Sequence, residues 1–455
     1  MNVIKNYFKI GESGSTIRNE IVGGLTTFAT MSYIVFVQPT VLATTGMDFG
    51  SVLLATCISA AIACFLMGFL ARYPIALAPG MGENFLFAFA IVAAPPIGMG
   101  FSWRAALAIV LISGLIFVAL SVFKTREKII EILPPCLINS IGPAIGLFIG
   151  FVGLQWGGIV VRAESTMLQL GSFHSEIAMM TVIGLFLIAA LHVRRIPGGI
   201  LIGILATAGI GIFTGAIPSN TEAPPLEFST FFQLNISELA QRWPDALVAI
   251  MLFLFLDMFD TVGTLVGVSN QAGFLKPDGT LPRAGRAFFS DAVGTCVGAL
   301  CGTSTVTSYI ESATGVAAGA RTGLAAIVTG VCFLGAIFLA PVIHIAGQDI
   351  GPAFYNLPAD ALHVAMYPVV APALIFVGFL MMGPLRKIHW DDATESLPAF
   401  LTIAMMAFGY GITEGISAGI IGYAVIKPVA GKPREVHPLL YLVALAFLAR
   451  YAFLV

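Results

Sequence analysis

Apolar runs follow one another along nearly the whole chain, separated by short polar breaks. A run of roughly 17–25 apolar residues is long enough to cross a bilayer as a helix. By that measure the segments 21–39, 52–71, 85–94, 105–122, 137–154, 177–192 and 199–215 are expected to be spans of a first half. A polar interval, 216–243, holds Glu222, Glu227 and Glu238. The segments 246–268, 287–301, 312–320, 324–346, 359–382, 399–410 and 415–427 then form a second half. The pattern predicts an all-α polytopic membrane protein of about fourteen spans, with the third and tenth too short to cross alone. A last apolar stretch, 439–455, contains Arg450, and the pattern leaves open whether it crosses or lies in the interface.

Composition sharpens this picture. Of 455 residues, 58% are hydrophobic and 10% charged, with a mean hydropathy of +0.95; a soluble domain carries about 25% charged residues. The net charge of −2 excludes a basic face for nucleic acid. Six cysteines, mostly within apolar runs and without metal-ligand spacing, read as small core residues. The polar N-terminus, 1–20, lacks an early apolar core, so no cleavable signal peptide is expected. No nucleophile–base arrangement, HExxH, phosphate loop or haem ligand pair is visible, and neither an enzyme nor a bound cofactor is expected.

Positive charge orients the spans. Lys5, Lys9 and Arg18 precede the first, and basic residues recur at every second connection: Arg72; Lys124, Arg126 and Lys128; Arg194 and Arg195; Lys276, Arg283 and Arg286; Arg321; Arg386 and Lys387; Lys427, Lys432 and Arg434. Arg104, Arg162 and Arg242 are the exceptions. Both termini are therefore expected on the cytoplasmic side of the plasma (inner) membrane.

Against this background the acids stand out. Asp257 and Asp260 lie inside the eighth apolar run, and Glu311 heads the small-residue tenth. A carboxylate at the bilayer centre costs at least roughly 2.5 kcal/mol and normally faces a cavity or a partner. Three residues apart on a helix, Asp257 and Asp260 share a side with Thr261 and Thr264. One of the two acids could bind ligand while the other braces a neighbouring half-helix; a purely structural hydrogen bond is the alternative for either. Glu311 could bind ligand or simply cap its helix. Residues 78–82 and 302–309, rich in Pro, Gly, Ser and Thr, each lead into a short helix, and two half-helix N-termini would offer backbone N–H groups to a ligand; ordinary packing glycines are the alternative. Glu83 and Asn84 stand at the matching place in the first half, and Ser312 follows Glu311. Tyr309, Phe85 and Phe28 could supply stacking surfaces. Carboxylates, amides and aromatics suit a planar heterocycle bearing N–H donors, with a proton as coupling ion, better than an anion.

The halves also echo each other. Glu83 and Glu311 are 228 residues apart, and nearly the same offset, one residue shorter, carries the fifth span, LFIGFVGL, onto LIFVGFLM of the twelfth. With seven spans per half, the second copy must be inverted, and short glycine-interrupted segments at matching places point to a transporter with its site at the repeat interface.

TTFATMSYIVFVQP (26–39), APGMGEN (78–84), DMFDTVGTLVG (257–267) and TSTVTSYIESATGVAAGARTGL (303–324) resemble the AzgA-like purine permeases of the nucleobase/ascorbate transporter superfamily, over essentially the whole chain. The resemblance implies two inverted seven-span repeats split into a core domain (21–122 and 244–346) and a gate domain (137–215 and 357–428). Residues 216–243 would be an extracytoplasmic loop and 435–455 a C-terminal apolar segment. It further implies proton-coupled uptake of adenine, guanine or hypoxanthine, and a homodimer through the gate domains. Asp260 and Glu311 then look like the acids that bind the base, and Tyr309 and Phe85 like ring contacts. Gln38 and Glu83 depart from the family pattern. A sulfate- or bicarbonate-type anion transporter of the same fold is the alternative.

Overall fold

The computed structural model describes residues 2–95, 98–123, 134–163, 165–218, 225–276, 281–351 and 365–453. Lys124, Arg126, Lys128, Glu222 and the start of the expected twelfth span, 359–364, lie outside the described residues.

Apolar runs become helices because hydrocarbon offers the backbone no hydrogen-bond partner. The first half runs through Ile17–Met31, Ile34–Ala43, Phe49–Leu66, Met81–Phe85, Trp103–Phe123, Pro135–Trp156, Glu176–Val193 and Gly199–Thr214. The second runs through Trp243–Ala272, Ala284–Cys301, Ser312–Ala317, Gly323–Ala336, Ala340–Ala346, Ala371–Leu380, Ala393–Phe408 and Ile412–Val429. A final helix, Pro438–Phe453, follows. The architecture is an all-α membrane fold of two inverted seven-span repeats, and the short helices fall in the third and tenth positions, as the pattern predicts. Two departures are local. The first span is not one helix but breaks at Ser32 and Tyr33 and resumes through Pro39. A short hairpin, β2 (Val160–Ala163) with an exposed β3 (Met167–Leu170), occupies a connection to which the apolar pattern assigns no element.

The one sheet that matters is tiny and central. Strands β1 (Leu77–Pro79) and β4 (Val306–Ser308) pair antiparallel, with Leu77 opposite Ser308 and Pro79 opposite Val306. Gly80 N–H donates to the Thr305 carbonyl (3.0 Å) and Tyr309 N–H to that of Ala76 (2.9 Å), so the ladder is symmetric about Ala78 and Thr307. This centre sets the repeat offset one residue beyond 228, and Glu83 corresponds to Ser312 rather than to Glu311. Non-helical backbone survives at this depth because each strand satisfies the other.

The helices sort into two packed groups. Phe49–Leu66, Trp243–Ala272 and Ala284–Cys301 pack around the paired strands, and Ile17–Met31, Trp103–Phe123 and Gly323–Ala336 complete that group by packing on one or another of its helices. Pro135–Trp156, Glu176–Val193, Gly199–Thr214, Ala371–Leu380, Ala393–Phe408 and Ile412–Val429 pack mainly on one another. Small residues let backbones touch, the usual basis of helix association in lipid. A Cβ at Gly315 would lie 2.5 Å from the Gly23 carbonyl, and one at Gly378 would lie 2.4 Å from that of Gly146. Neither obstacle is a flexible side chain. Gly378→Leu is expected to cost about 3 kcal/mol through overpacking, read as a lowered melting temperature in detergent.

Glu20, fully buried, shows how the first group is fastened. Its carboxylate accepts from the backbone N–H of Arg321 (2.9 Å) and of Thr322 (3.1 Å), at the start of Gly323–Ala336. An acid at a helix N-terminus is favourably placed.

Candidate functional site

Between the two groups lies a cavity of about 910 Å³. Its polar lining is small: Tyr33, Glu83, Asn139, Asp260, Thr264, Ser308, Tyr309 and Glu311, with Lys387 also among the lining residues. Most of the rest is apolar, including Ile141 and Ile145 of one helix, Phe255 and Phe259 of another, and Ile416 and Ile420 of a third.

Each acid is set by its element. Asp260 projects into the cavity from the middle of Trp243–Ala272 and is exposed there. Asp257, three residues earlier, turns the other way, is fully buried and accepts from the Thr295 hydroxyl (2.8 Å). The two acids therefore meet different surroundings, and Asp257 bonds to the long helix Ala284–Cys301 rather than to a half-helix. Glu311 occupies the position just before Ser312–Ala317 and accepts a 2.9 Å hydrogen bond from the Tyr33 hydroxyl. Tyr33 was not singled out in the sequence. It sits at the break between the first two helices, which is what aims it at the site.

Glu83 reaches the cavity although it is only 2% exposed. Its carboxylate folds back over Gly80, where a Cβ would lie 2.1 Å from Oε2, so the glycine of APGMGEN is needed for close approach. Among the described residues Glu83 Oε1, Asp257 Oδ1 and the Asn84 amide nitrogen are buried without a hydrogen-bond partner. Asn84 accepts from Ser304, and Gln38 donates to Thr303 (2.6 Å) and Ser304 (3.2 Å). Gln38 and Asn84 thus meet at the same serine beneath the paired strands.

Of the other expected site residues, Tyr309 and Thr264 line the cavity, whereas Asn84, Ser312, Thr261, Phe85 and Phe28 are not among its lining. Tyr309 lines it and anchors its hydroxyl on the Pro79 carbonyl. Ser312 accepts from the Ala76 N–H (3.0 Å). Thr261 is buried and donates to Asp291 (2.7 Å). Phe85 is fully buried against Phe89 and Phe148, and Phe28 lies edge-on to Phe333. Neither ring is among the cavity's lining residues.

Asp291 was missed. Fully buried on Ala284–Cys301, it accepts from Thr261 and from Ser308 (2.6 Å), a cavity residue. The signal was present, since Asp291 is a carboxylate inside an expected span, like Asp257. Among the described residues no group of His, Cys, Asp and Glu could hold a metal ion. The arrangement can accept hydrogen bonds from a flat, apolar-faced solute and can exchange protons with it. Exchange of Tyr33 for Phe is expected to leave Glu311 without its donor and to weaken ligand binding about tenfold, measured by calorimetry.

Discontinuous helices meeting at the interface of inverted repeats define the class: a secondary transporter. The family model described as "Permease family", for xanthine/uracil permeases, matches residues 18–352. The chain is 45% identical to the guanine/hypoxanthine permease PbuG of Bacillus subtilis, covering 99% of this chain and 100% of the relative. It is 38% identical to the adenine permease AdeP of Escherichia coli, covering 99% and 96%. In structure it resembles the transmembrane domain of the cyanobacterial bicarbonate transporter BicA, with a TM-score of 0.60, 16% identity and coverage of 89% and 97%. The chain belongs to this permease family and is a multi-pass membrane permease, not an enzyme.

Proposed function

We propose that this permease imports a purine nucleobase by proton symport, with the base held between the third, eighth and tenth spans. The observation that carries the reading is the pair Asp260 and Glu311, facing one mostly apolar cavity from two different elements. Ionised carboxylates only accept hydrogen bonds, and adenine, guanine and hypoxanthine all present ring or amino N–H donors. Apolar walls suit the faces of a flat ring, and Tyr309 offers an aromatic surface. The relatives named for guanine, hypoxanthine and adenine transport support the same substrate class. Likeness to the bicarbonate transporter at 16% identity concerns the fold alone, and two acids at the cavity disfavour an anion.

In this reading the helices around the paired strands are a core domain that carries the base, and the other group is the gate against which it moves. Asp257 and Thr261 support the site from behind, and Thr264 lines it. The gate helices supply the homodimer contact, and the protein sits in the inner membrane with its N-terminus cytoplasmic. Thermal stabilisation of the purified protein against purines, ascorbate, sulfate and bicarbonate tests the substrate. A purine at about a hundred times its Kd should add roughly 2.7 kcal/mol; a shift with bicarbonate or sulfate and none with any purine would overturn the reading. Uptake into proteoliposomes is expected to follow an imposed inward proton gradient, and uptake indifferent to the gradient would remove the coupling.

A further inference from the structure

The sequence leaves the segment 439–455 undecided and places both termini on one side. The structure assigns it a different place: we infer that Pro438–Phe453 is a fifteenth membrane-crossing helix that walls the substrate cavity and carries the C-terminal end of the chain to the side opposite the N-terminus.

The helix is tied to Ile412–Val429 at both ends. At its start, Lys427 in the last turn of that helix donates to Glu435 (2.6 Å), three residues before Pro438. At its finish, the Tyr451 hydroxyl lies 2.5 Å from the Ser417 hydroxyl and donates to Glu414, in the first turn of the same helix. The two helices are therefore antiparallel and side by side over almost their full lengths, about 24 Å and 27 Å at 1.5 Å per residue. Ile412–Val429 is the last span of the second repeat, so a helix that follows it from one end to the other crosses with it.

The two faces agree with this placement. Leu440, Ala444 and Phe447 are buried, at 1%, 5% and 4% exposure. Tyr441, Leu445 and Leu448 form an exposed strip at helical spacing, the face that lipid would cover. Leu440, Val443 and Phe447 also line the cavity that holds Asp260 and Glu311. The helix closes that cavity on one flank, and its side chains help to set which solutes fit. This last role rests on the proposed function; the crossing does not.

The crossing is tested by labelling in a bacterial host. In the full-length chain, A452C is expected to react with a membrane-impermeant maleimide in intact cells, and K432C only in inverted vesicles. Reaction of both from the same side would overturn the crossing. Should either site prove unreactive, reporters fused after Val455 read the same question. Active alkaline phosphatase with a dark fluorescent protein supports the crossing, and the reverse pattern overturns it. The wall is tested separately with V443W in purified protein. Its affinity for the purine that stabilises the unaltered chain is expected to fall about tenfold, the cost of crowding a preformed cavity, at unchanged melting temperature. Unchanged affinity would remove the helix from the site while leaving its topology standing.

Discussion

Asp260→Asn is expected to abolish uptake while the protein still reaches the membrane in normal amount. Asp260 is exposed to the cavity rather than packed in the core, so the near-isosteric amide leaves no cavity, and its carbonyl oxygen can still accept from the buried Thr307 hydroxyl. What changes is the chemistry offered to the ligand. The carboxylate accepts with both oxygens, whereas the amide turns one position into a donor that faces the ligand's own N–H. Losing a charged acceptor costs about 1.5–3 kcal/mol, so affinity is expected to fall about a hundredfold, roughly 2.7 kcal/mol. Glu311→Gln is expected to behave likewise, with the Tyr33 bond weakened but kept. Radiolabelled purine uptake and calorimetry on the same preparation measure both. Normal transport by either variant would take that residue out of the site.

Asp291→Ala is expected to act on stability first. Asp291 is the shared acceptor for the Thr261 and Ser308 hydroxyls, one from the eighth span and one from β4. Alanine leaves both hydroxyls buried without that partner, at about 1–3 kcal/mol each. The melting temperature in detergent should drop well beyond that of Asp291→Asn, which keeps one carbonyl oxygen as acceptor. If the two variants melt together, hydrogen bonding to Asp291 does not hold the eighth span to the paired strands.

Much of the site could be read in the sequence because membranes make acids conspicuous. Asp260 and Glu311 announced themselves as charges inside apolar runs, and the fold places both at one cavity. The same rule applied evenly would have found Asp291. Side-chain direction was harder to foresee. Asp257 and Asp260 are three apart yet face different neighbours, because an (i, i+3) pair is offset around the helix by about 60°. Phe85 and Phe28 were expected as stacking surfaces, but their rings pack against Phe148 and Phe333 instead of lining the cavity. The equivalence of Glu83 and Glu311 came from matching letters, and only strand register could set the symmetry centre one residue further on. The C-terminal helix was undecidable from hydropathy, since its uncharged stretch, Pro438–Ala449, is short; the ties to Glu414 and Glu435 distinguish crossing from lying flat.

The pairing of β1 with β4 has a further consequence for biogenesis. Partners some 230 positions apart are made at very different times, and roughly half the chain emerges from the ribosome between them. Until Val306–Ser308 arrive, Leu77–Pro79 cannot form the ladder that satisfies their backbone at membrane depth. The nascent first half must therefore wait, inserted but with its centre unfinished, sheltered by the insertion machinery or by water. Chains interrupted before Val306 are then natural substrates for membrane quality control, while those that pass Ser308 can seal the seam between the two repeats.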